Sequence, residues 1–130
     1  MLPERLVEEL ILVADVTGVP GDRRHVLSTT FAAAPAWAIP ALAQARLICR
    51  EAAEDAFPAH ALSLVTECTV LHCWLPGSCI AAHVDDGPGE YLKNRLISCV
   101  VWLNEGFEGG DFEVHASGRT DTIHVIDRQN

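Results

Sequence analysis

The spacing of the apolar residues changes midway along the chain, and this change limits the folds open to it. Over residues 3–57 apolar side chains recur at helical spacing, as at Leu6, Leu10 and Ile11. From Ala61 onward they alternate with a period of two, which is typical of strands. Helices followed by strands, without alternation of the two, predict an α+β fold with an antiparallel sheet.

Two helices are expected to form a cover over residues 1–58. The first begins near Pro3, which suits a first helical turn, and ends at Gly18. The second is expected to start at Pro40 and to stop before Pro58. Neither helix carries a motif with visible chemistry, so both are predicted to pack on the sheet.

The strands are expected in the second part of the chain, residues 61–130. The alternating pattern predicts them at residues 68–74, 80–85, 95–103, 111–114 and 122–126. Pro76-Gly77 is predicted to turn the chain after the first of these strands, and Gly109-Gly110 before the fourth.

The composition is that of an ordinary soluble domain. The chain has 130 residues, 49% hydrophobic and 21% charged, which predicts a single domain over residues 1–130. Lys plus Arg number 9 against 18 Asp plus Glu, a formal net charge of -9. Because a nucleic-acid surface and an anionic membrane both require clustered cations, neither is expected as a partner.

The cysteines and the N-terminus bear on where in the cell the protein is located. The 5 cysteines are an odd number and stand among aliphatic neighbours, which is typical of reduced, buried thiols. The N-terminus lacks a basic region ahead of an apolar stretch, which argues against a secretory signal. A cytoplasmic location is therefore expected.

The most informative local motif is His83-Val84-Asp85. On a strand, residues i and i+2 share a face about 6.6 Å apart at their Cα atoms, so this imidazole and this carboxylate can bind one metal ion. Nitrogen combined with carboxylate oxygen suits Fe(II), Mn(II) or Zn(II). Two His and one carboxylate form the facial triad of non-haem Fe(II) oxygenases.

The residues around this motif extend the pattern. They are Trp74-Leu75-Pro76-Gly77 before it, then Tyr91-Leu92, Arg95-Leu96-Ile97-Ser98, Trp102-Leu103-Asn104 and Gly109-Gly110-Asp111-Phe112 after it. Over residues 65–114 the chain resembles the 2-oxoglutarate- and Fe(II)-dependent oxygenases, specifically their prolyl 4-hydroxylase-like branch. The resemblance implies helices packed on a double-stranded β-helix, or jelly roll, with His83 and Asp85 as metal ligands.

The resemblance also implies an activity. It implies a dioxygenase that uses Fe(II), 2-oxoglutarate and supporting ascorbate to hydroxylate an unactivated C–H bond, with a prolyl or other residue of a peptide or protein as substrate. Ser98, Trp102 and Trp74 are the expected co-substrate-binding residues. Both tryptophans stand where the family usually has tyrosine; indole retains an N–H donor, but its bulk narrows a pocket. Each can also be read as a core aromatic.

Two further family positions have no counterpart in the sequence. The second His ligand and the basic residue that pairs with 2-oxoglutarate would fall beyond Asn130, so the jelly roll is expected to be incomplete at its C-terminus. The chain is interpreted as a truncated reading frame, a fragment or a degenerate member. His115 and His124 are more typical of surface histidines than of replacement ligands.

Three consequences of an incomplete site and sheet are expected. Two ligands hold a divalent metal weakly, so poor Fe(II) binding and little 2-oxoglutarate turnover are expected of the 130-residue chain. An incomplete sheet exposes backbone groups at an edge, so self-association through that edge is expected as well.

Two other functions stay open at this point. The same fold can act as a non-catalytic binding or interaction module. A structural zinc site is the second alternative. Its candidate ligands are Cys68, His72, Cys73 and Cys79, with His83 nearby. The sequence has no Cys-x-x-Cys pair, and neighbouring residues of a strand point to opposite faces, so the zinc site is disfavoured.

Overall fold

The structure is a computed structural model that describes residues 1–20, 26–60, 64–81, 83, 85 and 96–109. These residues form two α-helices and a three-stranded antiparallel sheet, which confirms the predicted α+β class. The helices are α1, Glu4–Thr17, and α2, Ile39–Ala56. The strands are β1, Val19–Pro20, β2, Val26–Thr30, and β3, Val70–Trp74. Phe31–Ala33 and Pro58–His60 form short 3₁₀ turns.

The two helices pack together through small and aliphatic side chains. On α1, the predicted apolar face is buried at Leu6 and Leu10, and it continues to Val13. On α2, the alanines on the buried side leave room for α1 to approach closely. The resulting core cluster consists of Leu6, Leu10, Val13, Ala38, Ala41, Leu42 and Ala45.

Gly18 lets the chain pass from α1 directly into the sheet. Its N–H donates to the carbonyl oxygen of Ala14 at 3.0 Å and closes the last helical turn. A Cβ atom at position 18 would stand 2.7 Å from that oxygen and 3.0 Å from the Cβ of Leu27 in β2. Only a residue without a side chain therefore allows β2 to approach the end of α1 this closely.

The sheet has the order β1-β2-β3, with both pairs antiparallel. The register sets Thr29 opposite Leu71 and Ser28 opposite His72. Leu71 packs against the helical cluster, so Leu71 and Thr29 share the face that points to the helices. Ser28 and His72 lie on the outer face.

A pair of threonines joins the sheet to α1. Thr17 donates a hydrogen bond to the carbonyl oxygen of Val13 at 2.7 Å, and its Oγ1 is also 2.7 Å from Oγ1 of Thr29. Because the hydroxyl hydrogen of Thr17 is used on Val13, Thr29 is the donor in the second bond. The buried hydroxyl of Thr29 is thereby satisfied.

The first strand of the predicted sheet is confirmed. The sequence predicts it over residues 68–74, and β3 forms at Val70–Trp74. The Pro76-Gly77 turn is confirmed as well, since the N–H of Ser78 donates to the carbonyl oxygen of Leu75 at 3.0 Å. Gly77 has a φ of 82°, which fits the third residue of a type II turn and favours glycine.

The expectation of a purely helical first part is wrong. Residues 1–58 contain β1 and β2 in addition to the two helices. The reason is the β-branched composition of β2, whose Val26, Thr29 and Thr30 favour an extended strand once β3 supplies a partner.

Two further predicted strands are also wrong where the structure describes them. Ile80, Ala81, His83 and Asp85 are not in a strand, and neither are residues 96–103. Val100 and Val101, which would lie on opposite faces of a strand, are 52% and 45% exposed, so the alternating pattern there does not mark one buried face of a sheet. Residues 96–103 instead lie beside the helices, where Leu103 packs on the core cluster. The strands predicted at 111–114 and 122–126 lie outside the described residues.

The cysteines are free, as predicted, but they are not buried. Cys49 and Cys73 are half-buried, and Cys68, Cys79 and Cys99 are exposed. The prediction of burial relied on the aliphatic neighbours of the cysteines in the sequence. It is wrong because the segments that carry the three exposed cysteines lie at the surface. Separately, none of the described helices combines the length and apolar character needed to cross a bilayer.

The core cluster should carry much of the stability. Leu42 is 0% exposed, and Leu47 on the same helix is 54% exposed. Leu42→Ala is expected to lower the free energy of unfolding by about 2–5 kcal/mol, because it removes buried surface and leaves a cavity. Leu47→Ala, the matched control, should change it by less than about 0.5 kcal/mol. Urea unfolding followed by circular dichroism measures both, and equal losses would contradict this packing.

Candidate functional site

The side chains of His83 and Asp85 converge in the structure. Nε2 of His83 is 3.4 Å from Oδ1 of Asp85, and each side chain is 46% exposed. Neither residue lies in a strand, yet the two side chains approach each other. The convergence that the sequence predicts is therefore present without the strand that was expected to produce it.

A backbone carbonyl sets the tautomer of His83. Nδ1 of His83 is 2.9 Å from the carbonyl oxygen of Ala81. A carbonyl oxygen only accepts, so Nδ1 carries the hydrogen. In the neutral ring, Nε2 then presents a lone pair to the carboxylate of Asp85. In this tautomer two acceptor atoms face each other, an arrangement that can bind a cation.

The spacing of these atoms fits a metal ion. Metal–ligand bonds of about 2.1 Å set neighbouring ligand atoms about 3.0 Å apart at a right angle and about 3.4 Å apart at a tetrahedral angle. The observed 3.4 Å lies at the upper end of this range. A histidine that donates its other ring N–H to a backbone carbonyl is also typical of metal sites. Nitrogen and carboxylate oxygen are donors that suit Fe(II).

Ser98 completes the hydrogen bonding of Asp85. Its hydroxyl donates to Oδ2 of Asp85, while Oδ1 faces His83. The two carboxylate oxygens thus differ in their partners: Oδ2 accepts from Ser98, and Oδ1 remains available to a cation. The sequence predicted Ser98 as a co-substrate neighbour, and its direct bond to Asp85 was not foreseen.

The two tryptophans are both at the surface. The ring of Trp74 stands edge-on to that of His72, with 6.2 Å between centroids, on the outer face of β3. Trp102 is exposed in the same stretch of chain as Ser98. The roles of Trp74 and Trp102 in binding 2-oxoglutarate stay predictions.

The structural zinc site is not formed. Cys73 pairs with Leu27 and His72 with Ser28 in the sheet register, so these two candidate ligands point to opposite faces. In the part of the chain that the structure describes, no group of three or more His, Cys, Asp or Glu side chains is placed to hold a metal. The same finding leaves His83 and Asp85 as a pair. Gly110, His115 and His124 lie outside the described residues.

One group that contributes to the site, a backbone carbonyl, cannot be recognised from the sequence. The carbonyl of Ala81 orients His83, but every residue carries a carbonyl, so only the local backbone path selects this one. Ser98, in contrast, has a hydroxyl and belongs to a motif, although its partner Asp85 is visible only in three dimensions.

Metal affinity should depend on His83 and, to a lesser degree, on Ser98. Titration calorimetry with Mn(II), which is stable in air, is expected to give weak saturable binding. Ser98→Ala should raise the dissociation constant about 10- to 100-fold, because the carboxylate loses its orienting bond. His83→Ala should abolish saturable binding. His72→Ala removes a histidine bound to Ser28 and is the matched control. Binding that survives His83→Ala would rule out this pair as the site.

Comparison of the chain with family models, with curated proteins and with solved structures gave no match.

Proposed function

We propose that this protein is an Fe(II)- and 2-oxoglutarate-dependent dioxygenase that hydroxylates an unactivated C–H bond. The His83–Asp85 pair carries the proposal, with its ligand atoms 3.4 Å apart. An imidazole and a carboxylate are two of the three ligands of the facial triad. Support also comes from the sequence motifs that surround the pair, above all Ser98, which contacts Asp85.

In this proposal the protein orients groups around the metal. Bound Fe(II) supplies the redox chemistry that couples oxidation of 2-oxoglutarate to succinate with hydroxylation, and ascorbate keeps it reduced. Ala81 fixes the ring of His83, and Ser98 fixes the carboxylate of Asp85, so both ligands are preorganised. The indole N–H groups of Trp74 and Trp102 are our candidates for donors to the co-substrate.

The remaining parts of the site are proposed to come from elsewhere. The described residues bring two candidate ligands together, and we propose that a third ligand and a cation that pairs with 2-oxoglutarate come from outside them. We further propose that the open sheet is one side of a jelly roll, with α1 and α2 as its cover. A closed barrel of this kind shields a metal from bulk water.

A peptide or protein is the proposed substrate, with a prolyl or other residue as the position that is hydroxylated. The formal net charge of -9 favours a neutral or basic peptide over an acidic one. A half-exposed metal pair, at 46% for each side chain, is open enough for a residue of another chain to approach.

A non-catalytic binding module is the second candidate. Its support is that only two ligands are brought together among the residues the structure describes. Two ligands permit weak metal binding, but they do not hold a metal in the fixed geometry that turnover needs. Succinate formation separates this candidate from the oxygenase.

Succinate release tests the proposal. The 130-residue chain is compared with a version extended by a family-type segment that carries a His and an Arg, with Fe(II), ascorbate and 2-oxoglutarate supplied. We expect more turnover from the extended form, since a basic anchor of the kind it adds strengthens 2-oxoglutarate binding about 10- to 100-fold. The extended form is expected to release succinate.

His83→Ala in the extended form should reduce succinate release to background, and His72→Ala should leave it unchanged. Metal binding without succinate in either form would favour the binding module. Full turnover by the 130-residue chain would mean that its own residues complete the site, and the assignment of the third ligand to another segment would be rejected.

We also propose that β3 pairs with another copy of the chain. Thr69 accepts a hydrogen bond from the N–H of Phe31 at 2.9 Å, so its backbone faces β2. Backbone direction alternates along an antiparallel strand, and the N–H of Val70 therefore points away from β2. Among the described strands, β3 has one neighbour and β2 has two. A strand with a neighbour on one side only, as β3 has among the described residues, can pair with a strand of another copy.

Sedimentation velocity over a dilution series tests this pairing. The protein is expected to sediment faster as its concentration rises. Val70→Pro removes the outward N–H while leaving the ladder with β2, and it should weaken self-association about tenfold. Far-UV circular dichroism checks that the variant is folded. A wild-type monomer at every concentration would exclude the pairing.

A further inference from the structure

A pair of cysteines lies outside the candidate metal site and is not used by it. Cys49 is on α2, and Cys99 is in the stretch of chain that lies beside this helix. The thiol of Cys99 is 3.9 Å from the carbonyl oxygen of Cys49 and donates to it. Two segments that are 50 residues apart in sequence are therefore in contact at two thiol-bearing residues.

We propose that Cys49 and Cys99 form a reversible disulfide that fastens residues 96–103 to α2. In the reduced structure all five cysteines are free. Bond formation requires the side chain of Cys99 to turn from the carbonyl oxygen of Cys49 toward its sulfur. The thiol of Cys99 already lies against the backbone of Cys49, so the two residues start in contact.

The chemistry is a two-electron oxidation by a peroxide. The exposed Cys99 attacks hydrogen peroxide as its thiolate, which gives a sulfenic acid and releases water. The half-buried Cys49 then attacks this sulfur as its thiolate, a disulfide forms, and the displaced hydroxide leaves as a second water. The two thiol protons end in water, and the peroxide takes both electrons. A dithiol reductant reverses the step.

The surroundings of the pair make the reaction slow near neutral pH. Burial raises the pKa of the Cys49 thiol, and the nearby Cys99 raises it further. Burial also raises the pKa of Cys99. Since the thiolate is the reactive form, these shifts lower the reactivity of both thiols near neutral pH.

The disulfide would also act on the backbone next to the metal pair. Cys99 directly follows Ser98, whose hydroxyl holds Asp85. Fastening position 99 to α2 restricts the backbone that carries this hydroxyl. The disulfide itself does not depend on a metal, since neither cysteine belongs to the His83–Asp85 pair.

Peptide mapping of the full chain tests the proposal. The protein is treated with hydrogen peroxide, alkylated, digested without reductant and analysed by mass spectrometry. We expect one cross-linked species joining the Cys49 and Cys99 peptides, lighter by two hydrogen atoms than its parts and lost after treatment with dithiothreitol. The oxidised protein should also melt roughly 8–16 °C higher than the reduced protein, because the bond closes a long loop.

Three variants make the result decisive. Cys99→Ser and Cys49→Ala should each abolish both the cross-linked species and the rise in melting temperature. Cys79→Ser removes another exposed cysteine and should leave both unchanged. Circular dichroism of the reduced variants verifies folding, and Cys99→Ser suffices if Cys49→Ala does not fold. Cross-links that join other cysteines, or peroxide products that stop at sulfinic acid on Cys99, would overturn the proposal.

Discussion

The cluster between α1 and α2 determines where the other segments lie. Leu10 and Leu42 are almost fully buried in it, and the alanines of α2 let the helices approach each other closely. Two segments from later in the chain rest on this cluster, β3 through Leu71 and residues 96–103 through Leu103. Because Leu103 is anchored there, the chain just before it is held near α2, and Ser98 reaches Asp85 from that position. The geometry of the candidate site thus depends on apolar packing at a distance from it.

The helices were predictable from sequence because their signal is local. Each carries a full apolar stripe and recognisable ends, such as Gly18 after α1. The sheet was less predictable. β2 is only five residues long and depends on β3, which follows much later in the chain. Residues 96–103 alternate in sequence like a strand, but most of them are exposed in the structure. Periodicity alone therefore did not identify a strand there.

The candidate site likewise has features that the sequence predicts and features that it does not. The convergence of His83 and Asp85 was expected from the sequence, although the strand that was to produce it is absent. The bond from Ser98 to Asp85 depends on how separate segments fold back on each other, which no local pattern encodes. The contact of Cys99 with Cys49 spans 50 residues and was equally invisible. The bond from Ser98 orients Asp85, which the sequence only supplied as a candidate ligand.

The register between β2 and β3 has a consequence for the order of events during synthesis. Ser28 and His72, which face each other in the sheet, are 44 residues apart, and all of α2 lies between them. Closing so long a loop costs entropy before any ladder bond is gained, so β2 and β3 meet late. The helices form from nearby residues and do not have to wait. On the ribosome, β2 therefore emerges long before its partner, and its backbone toward β3 stays open until the chain has been made past Trp74. During that interval a chaperone has a segment to protect, residues 26–30, that still lacks its main partner strand.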